Sequence, residues 1–271
     1  MSKPRTAIRL YRDGGLLSLS RRTATKLVWE QPSFSSLPPR AVWAAYEFRC
    51  RFLPDVSDAN PLRLRWVDPD EIEYYHGDGP STFGAVRAGE WDRPASRFTE
   101  TEPFRSLEMH FADGVDWEET PLYREYANRL GTSDPYWRCR SPEELRAYFS
   151  GIDSLYDRIR REGYRTQRDL LRERGGAVRE NASDAPHPLL EEICVNVYRD
   201  GTLAKKRCGN HRLSIAKLLD LEEIPVVVLV RHERWQRLRD EVRAADSPAA
   251  LSARATRSLS HPDLTDVRPV G

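Results

Sequence analysis

The stretch ICVNVYRDGTLAKKRCGNHRLSIAKLLDLEEIPVVVLV, residues 193–230, decides the fold. Ile193, Val195 and Val197 alternate with other residues at the period of a strand, and Arg199-Asp200-Gly201 carries the residue types of a tight turn. Leu203 to Arg207 then return as the partner strand. From Asn210 onward Leu213, Ile215, Ala216, Leu218 and Leu219 give a short helix. Ile224 to Val230 is apolar on both faces, which is the pattern of a strand buried between two layers. Hairpin, helix and doubly buried strand in succession predict an α/β (α+β) domain.

Working outward, Leu64–Val67 reads as a strand followed by a one-turn helix over Asp68–Ile72, and Phe83–Val86 as another short strand. Residues 103–112 and 119–130 have helical spacing. Ser141-Pro142-Glu143-Glu144 is a helix start, with a Ser cap, Pro at the first helical position and Glu at the third. That helix is expected to break near Gly151, and a second, with Ile152, Leu155, Tyr156 and Ile159 on one stripe, to stop at Gly163. Residues 172–188 predict a loop, and Trp235–Ala244 a last helix. Residues 5–30 read as two short basic helical pieces, 31–40 as a linker, and 41–53 as a short helix or strand. The expected organisation is therefore a basic helical N-terminal extension over 1–60, a domain over 62–245 with a helical insertion at about 99–150, and a disordered tail over 246–271.

The chain has 271 residues, 39% of them hydrophobic and 31% charged, with a mean hydropathy of −0.68. This excludes a disordered chain by its apolar content and a helical membrane protein by its polarity. Net charge is +1, but residues 1–65 carry +7, residues 66–130 carry −9, and the remainder carries +3. The chain is thus no generic polyanion binder, although its basic N-terminal segment suits an anionic membrane surface, a nucleic acid, or the acidic segment of the chain itself. Four cysteines without metal or disulfide-scaffold spacing, and a start without an apolar signal segment, make the reducing cytoplasm the expected compartment. Cys194 and Cys208 are expected near each other across the hairpin, a placement that would allow a redox bridge.

Chemistry concentrates at Cys208-Gly209-Asn210-His211-Arg212, where a strand gives way to a helix. The first amides of such a helix lack intrahelical acceptors and have the positive end of the helix dipole behind them. Gly209 permits close approach of the backbone to a phosphate, Asn210 can cap the helix, and His211 and Arg212 add donors. The bland alternative is an ordinary junction in which Arg212 pairs with a nearby carboxylate.

The run Glu192–Gly201, then Gly209–Leu219, then Glu223–Val228 resembles the core of the ParB/sulfiredoxin-like superfamily. In that pattern a hairpin leads to a G-x-[HR]-R phosphate-binding turn, a helix and an "IPV" strand. Trp66–Ile72 resembles its first strand and turn, Trp91–Phe98 its early Arg-bearing loop, and Leu155–Gln167 its "SI…G…Q" helix end. The resemblance covers roughly 64–232 and implies a ParB/sulfiredoxin-like core with a small mixed sheet. Asn210 stands where sulfiredoxins place a catalytic Cys. The 41 residues after Val230 read as one helix plus a tail, so the helix-turn-helix domain of partition proteins is not expected among them.

The activity the resemblance then implies is that of the superfamily's free-serine kinases: phosphotransfer to a small hydroxylated substrate, or nucleotide hydrolysis. Gly209, Asn210, His211 and Arg212 would hold the phosphates of ATP, ADP or CTP, and Arg93 and Arg97 would clamp them from the opposite loop. Asp92, with Glu192 in reserve, would take the proton of the attacking hydroxyl, and magnesium would accompany the nucleotide. The alternative is a nucleotide-gated binding module without turnover, recruited to DNA, anionic membrane or a protein partner.

Overall fold

The computed structural model describes residues 38–52, 55–60, 62–93, 96–132, 139–173 and 191–269. The two basic helices expected over 5–30 and most of the linker lie outside them. The elements in chain order begin with α1 (Pro39–Phe52), β1 (Arg65–Val67), β2 (Ile72–Tyr75), β3 (Ala85–Arg87) and β4 (Ser96–Arg97). Helices α2 (Glu102–Phe111), α3 (Pro121–Asn128), α4 (Pro142–Glu162) and α5 (Gln167–Glu173) follow. Then come β5 (Ile193–Val197), β6 (Leu203–Lys205), α6 (Asn210–Leu218), β7 (Ile224–His232), α7 (Glu233–Ala244) and α8 (Ala253–Ser258).

One mixed sheet runs in the order β1-β7-β5-β6-β2-β4, with β3 also on β7. β5 and β6 form the antiparallel hairpin, Val195 opposite Lys205 and Val197 opposite Leu203, while β5 and β3 run parallel to β7. All nine residues of β7 and all five of β5 are buried, because each strand has layers on both faces. On one face Ile193, Val195 and Val197 meet Leu213, Ala216, Trp235 and Leu238. On the other, Cys194 and Cys208 meet Val42, Tyr46, Phe83 and Leu229. A third core lies among α2, α3 and α4 around Phe149 and Trp117, and Ile215 of α6 joins it to the sheet. The architecture is α/β, with a helical layer where the insertion was expected.

Four expectations change. The segment at 41–53, placed in a separate extension, is helix α1, and its Val42 and Tyr46 are fully buried against the sheet. No break occurs at Gly151. The helix runs from Pro142 to Glu162, because Gly151 sits in open space on its exposed side, where glycine costs only about 1 kcal/mol relative to alanine. The strand expected to reach Arg207 ends at Lys205, since Arg207 takes a left-handed φ of 62°.

The largest correction concerns residues 246–269, which are ordered rather than a disordered tail. Leu264 and Ala255 are fully buried, and Asp263, 1% exposed, accepts from Arg231 Nε at 2.8 Å and Nη2 at 2.6 Å and from Trp235 Nε1 at 3.0 Å. Asp266 accepts from Arg65 at 2.9 Å and from Arg239 at 2.8 and 2.9 Å, while Arg239 also holds Asp58 at 3.0 Å. The segment has few large apolar residues, so composition hides its anchoring. What fastens it is charge pairing with arginines that the sheet and α7 bury.

Candidate functional site

The hairpin positions the junction. Gly201, at φ 102°, closes the β5–β6 turn against the Trp235 ring, which a Cβ there would approach to 2.7 Å. After β6 the chain wraps Cys194: the Lys206 amide donates to the Cys194 carbonyl at 2.8 Å, and the Cys194 amide to the Cys208 carbonyl at 3.2 Å. Arg207, left-handed and exposed, makes that wrap possible. Gly209 is left-handed too, at φ 89°, and a Cβ there would lie 2.8 Å from Ile193 Cγ1 and 3.0 Å from its Cα, so glycine is required twice over.

α6 begins when the Leu213 amide donates to the Gly209 carbonyl at 3.0 Å, and no side chain caps it. The junction from Lys205 to Arg212 carries Lys205, Lys206, Arg207, His211 and Arg212 and no acidic residue. The Asn210 Oδ1 atom is buried without a partner, and the half-buried His211 ring meets Tyr148 edge-on at 5.9 Å.

Arg212 turns inward. Its Nη1 donates to Glu192 Oε2 at 3.3 Å and to the Tyr164 hydroxyl at 3.1 Å, and its Nη2 donates to the Glu191 carbonyl. Glu192, 1% exposed, also accepts from the Tyr164 hydroxyl at 3.1 Å and from the Gln167 amide at 2.5 Å. Burial raises the Glu192 carboxyl above the usual range, against the pull of Arg212. Glu192 and Arg212, which the sequence singles out separately, therefore meet with Tyr164 and the Gln167 amide in one cluster, which ties the start of β5 and of α6 to the link between α4 and α5.

Asp92, Arg93 and Arg97 do not join that cluster. Asp92 accepts from the Arg199 amide at 2.9 Å and Nε at 2.7 Å, and from its Nη2 at 2.5 Å. Burial acts to raise its pKa, but these bonds outweigh it and pull the carboxyl down to about 2, which makes it a weak base. Arg93 pairs with Glu90 at 3.2 Å and Arg97 with Glu73 at 3.5 Å, both on exposed surface.

Two groupings escape the sequence reading. His76, Trp91, Tyr198 and His232 gather beside Asp92, with His76 Nδ1 2.7 Å from the Tyr198 hydroxyl. Arg231 and His232 also end the buried strand β7, two residues beyond the apolar run that the sequence shows. Trp117, Tyr123, Tyr126 and Tyr148 pack around Phe149 as core residues, whereas Tyr136 and Trp137 lie outside the described residues.

Among the described residues no three His, Cys, Asp or Glu side chains gather as a metal site, and no helix is long and apolar enough to cross a membrane. Fold and site together define an α/β protein with a cationic strand-to-helix junction. Comparison with protein-family models, curated proteins and solved structures finds no match in any of the three.

Proposed function

We propose that the chain is a ParB/sulfiredoxin-like domain that binds a nucleotide through the junction 205–212 and works as a binding module. The observation that carries this reading is the N-terminus of α6. It is uncapped by any side chain, follows a left-handed Gly209, and sits in a run of five basic or imidazole residues without a carboxylate. Backbone amides in that setting suit phosphate oxygens. Arg207, exposed beside the turn, and His211, in the first turn of the helix, stand nearest a phosphate there, while Arg212 holds the junction in shape from behind. Magnesium would arrive on the phosphates of ATP, ADP or CTP, neutralising their oxygens.

Binding is preferred to turnover because both proposed bases are engaged, Asp92 by Arg199 and Glu192 by Arg212. A kinase or nucleotide-hydrolase reading keeps one point in its favour: Glu192 lies against the first turn of α6, so release of Arg212 toward a phosphate would free a carboxylate beside it. The basic segment 1–37 would then supply the contact with DNA, an anionic membrane or a protein partner.

Calorimetry with ATP, ADP and CTP, with and without magnesium, tests this. Binding without product, weakened about fivefold or more by Arg207→Ala or His211→Ala, is the expected result. Product from a small alcohol and nucleotide would move the assignment to the enzyme, and no binding of any of the three would remove it.

A further inference from the structure

A second chemistry is built behind the same hairpin, and it does not depend on nucleotide binding. Cys194 and Cys208 are thiols outside any disulfide, 0% and 5% exposed, in the same apolar cluster. The wrap of 206–208 around Cys194 sets the two residues side by side, with the Cys194 amide bonded to the Cys208 carbonyl at 3.2 Å. Their side chains are hydrogen-bonded to each other, and the Cys194 thiol also donates to the Glu192 carbonyl at 3.4 Å.

On the neighbouring strand Lys205, opposite Val195 and fully buried, donates from its ammonium to the Arg207 carbonyl at 2.9 Å, and its charge acts on both sulfurs. An ammonium inside an apolar core is costly unless an anion accompanies it. Burial pushes the Cys194 thiol above its ordinary range and draws the lysine down to about 8, so the lysine keeps its proton at neutral pH and its positive charge works against the rise at Cys194.

We propose that Cys194 and Cys208 are a redox-active dithiol that a small hydroperoxide closes to a disulfide, with Lys205 as the group that holds the thiolate. Cys208, the nearer to the surface, attacks the terminal peroxide oxygen. An S–O bond forms, the O–O bond breaks, and the remaining oxygen leaves as an alcohol or water. Cys194 then attacks the Cys208 sulfur, the S–S bond forms, and the hydroxyl leaves with the Cys194 proton as water. Two thiols are oxidised and one peroxide reduced, giving a disulfide, an alcohol (water when the oxidant is hydrogen peroxide) and one water. The bridge spans 194–208 and fixes the chain immediately before Gly209.

The test uses the full chain, hydrogen peroxide and no nucleotide, so its result stands whether or not the junction binds phosphate. After oxidation the remaining thiols are alkylated in denaturant and the protein is digested with trypsin. The expected product is the 180–199 peptide joined to Cys208–Arg212, separated by a thiol reductant, in protein whose melting temperature has risen by about 5 °C or more. Full alkylation of Cys194 and Cys208, their oxidation only to sulfinic or sulfonic acid, or bridges to Cys50 or Cys139 instead, would overturn the proposal. Lys205→Met should slow bridge formation about tenfold; an unchanged rate would remove the lysine from the mechanism. Should that variant fail to fold, the mapping on the unmodified chain still decides the dithiol.

Discussion

Replacing Glu192 by Gln separates a bracing role from a ligand-binding one. The substitution keeps the shape of the side chain but leaves the Arg212 guanidinium, now held at 3.3 Å by Glu192 Oε2, without its counter-charge in a buried cluster. Breaking a buried pair from one side costs about 3–5 kcal/mol, because the surviving charge remains desolvated. At about 2–4 °C per kcal/mol in a chain of this size, the melting temperature should fall by about 6–20 °C.

Arg212→Met leaves the opposite orphan, a buried carboxyl that can neutralise itself by taking a proton. Glu192 already titrates above its ordinary value through burial, and loss of Arg212 raises it further. A carboxyl raised in the folded state favours folding while protonated, and that advantage is lost as pH rises through its folded value. Arg212→Met should therefore lose less stability at pH 5 than at pH 8. The double variant Glu192→Gln/Arg212→Met should be more stable than the sum of the single losses by about 2 kcal/mol or more. Urea unfolding followed by tryptophan fluorescence at both pH values reads all three. Additive losses under about 1 kcal/mol each would refute the idea that this pair holds the junction together.

Further outcomes follow from the same contacts. Asp58 and Asp92 are pulled down to about 2 and Asp263 lower still, against about 3.9 unfolded, each burial penalty being outweighed by arginine partners. The unfolded chain thus binds more protons between pH 4 and pH 2, so the urea midpoint should fall steeply across that interval, and a flat midpoint would contradict the pairing. Ending the chain at Ala245 removes Asp263 and Asp266 and leaves Arg65, Arg231 and Arg239 buried without them. That protein should be insoluble or degraded by a protease that spares the full chain, and an unchanged melting temperature would show the segment to be dispensable. Gly209→Ala should cost about 1–3 kcal/mol in urea unfolding, from its left-handed φ and the approach to Ile193; stability equal to that of the unmodified chain would mean the turn is not built as described.

Where one physical signal dominates, the fold was legible in the sequence. The hairpin, α6, β7 and the Ser141 helix start follow from local periodicity and capping, and Ser141 does accept from the Glu144 amide at 3.3 Å. β2 was missed because Ile72–Tyr75 is too short to show a period, and its pairing with β6 is set by a partner far away in the chain. The C-terminal segment was missed for a different reason. Its stability comes from Asp263 and Asp266 meeting arginines at 65, 231 and 239, and long-range charge pairing leaves no local pattern.

The site divides in the same way. Gly209 and the helix start are local features and stand where the residues implied them, but Asn210 does not cap that helix as expected: Gly209 takes the cap position, and the Asn210 Oδ1 atom is buried without a partner. Whether Arg212 faces outward or inward depends on Glu192 and Tyr164, which no spacing reveals, and Asp92 is engaged by Arg199 of the β5–β6 turn, 107 residues away in the chain.

The most direct measurement is of the backbone amides at the start of α6 by nitrogen–proton correlation NMR, as ATP, ADP, CTP or inorganic phosphate is added. Saturable shifts centred on Gly209, Asn210, His211 and Arg212, reproduced in part by phosphate alone, are predicted. Shifts confined to other parts of the chain, or none at millimolar nucleotide, would contradict the assignment of this junction as the ligand site.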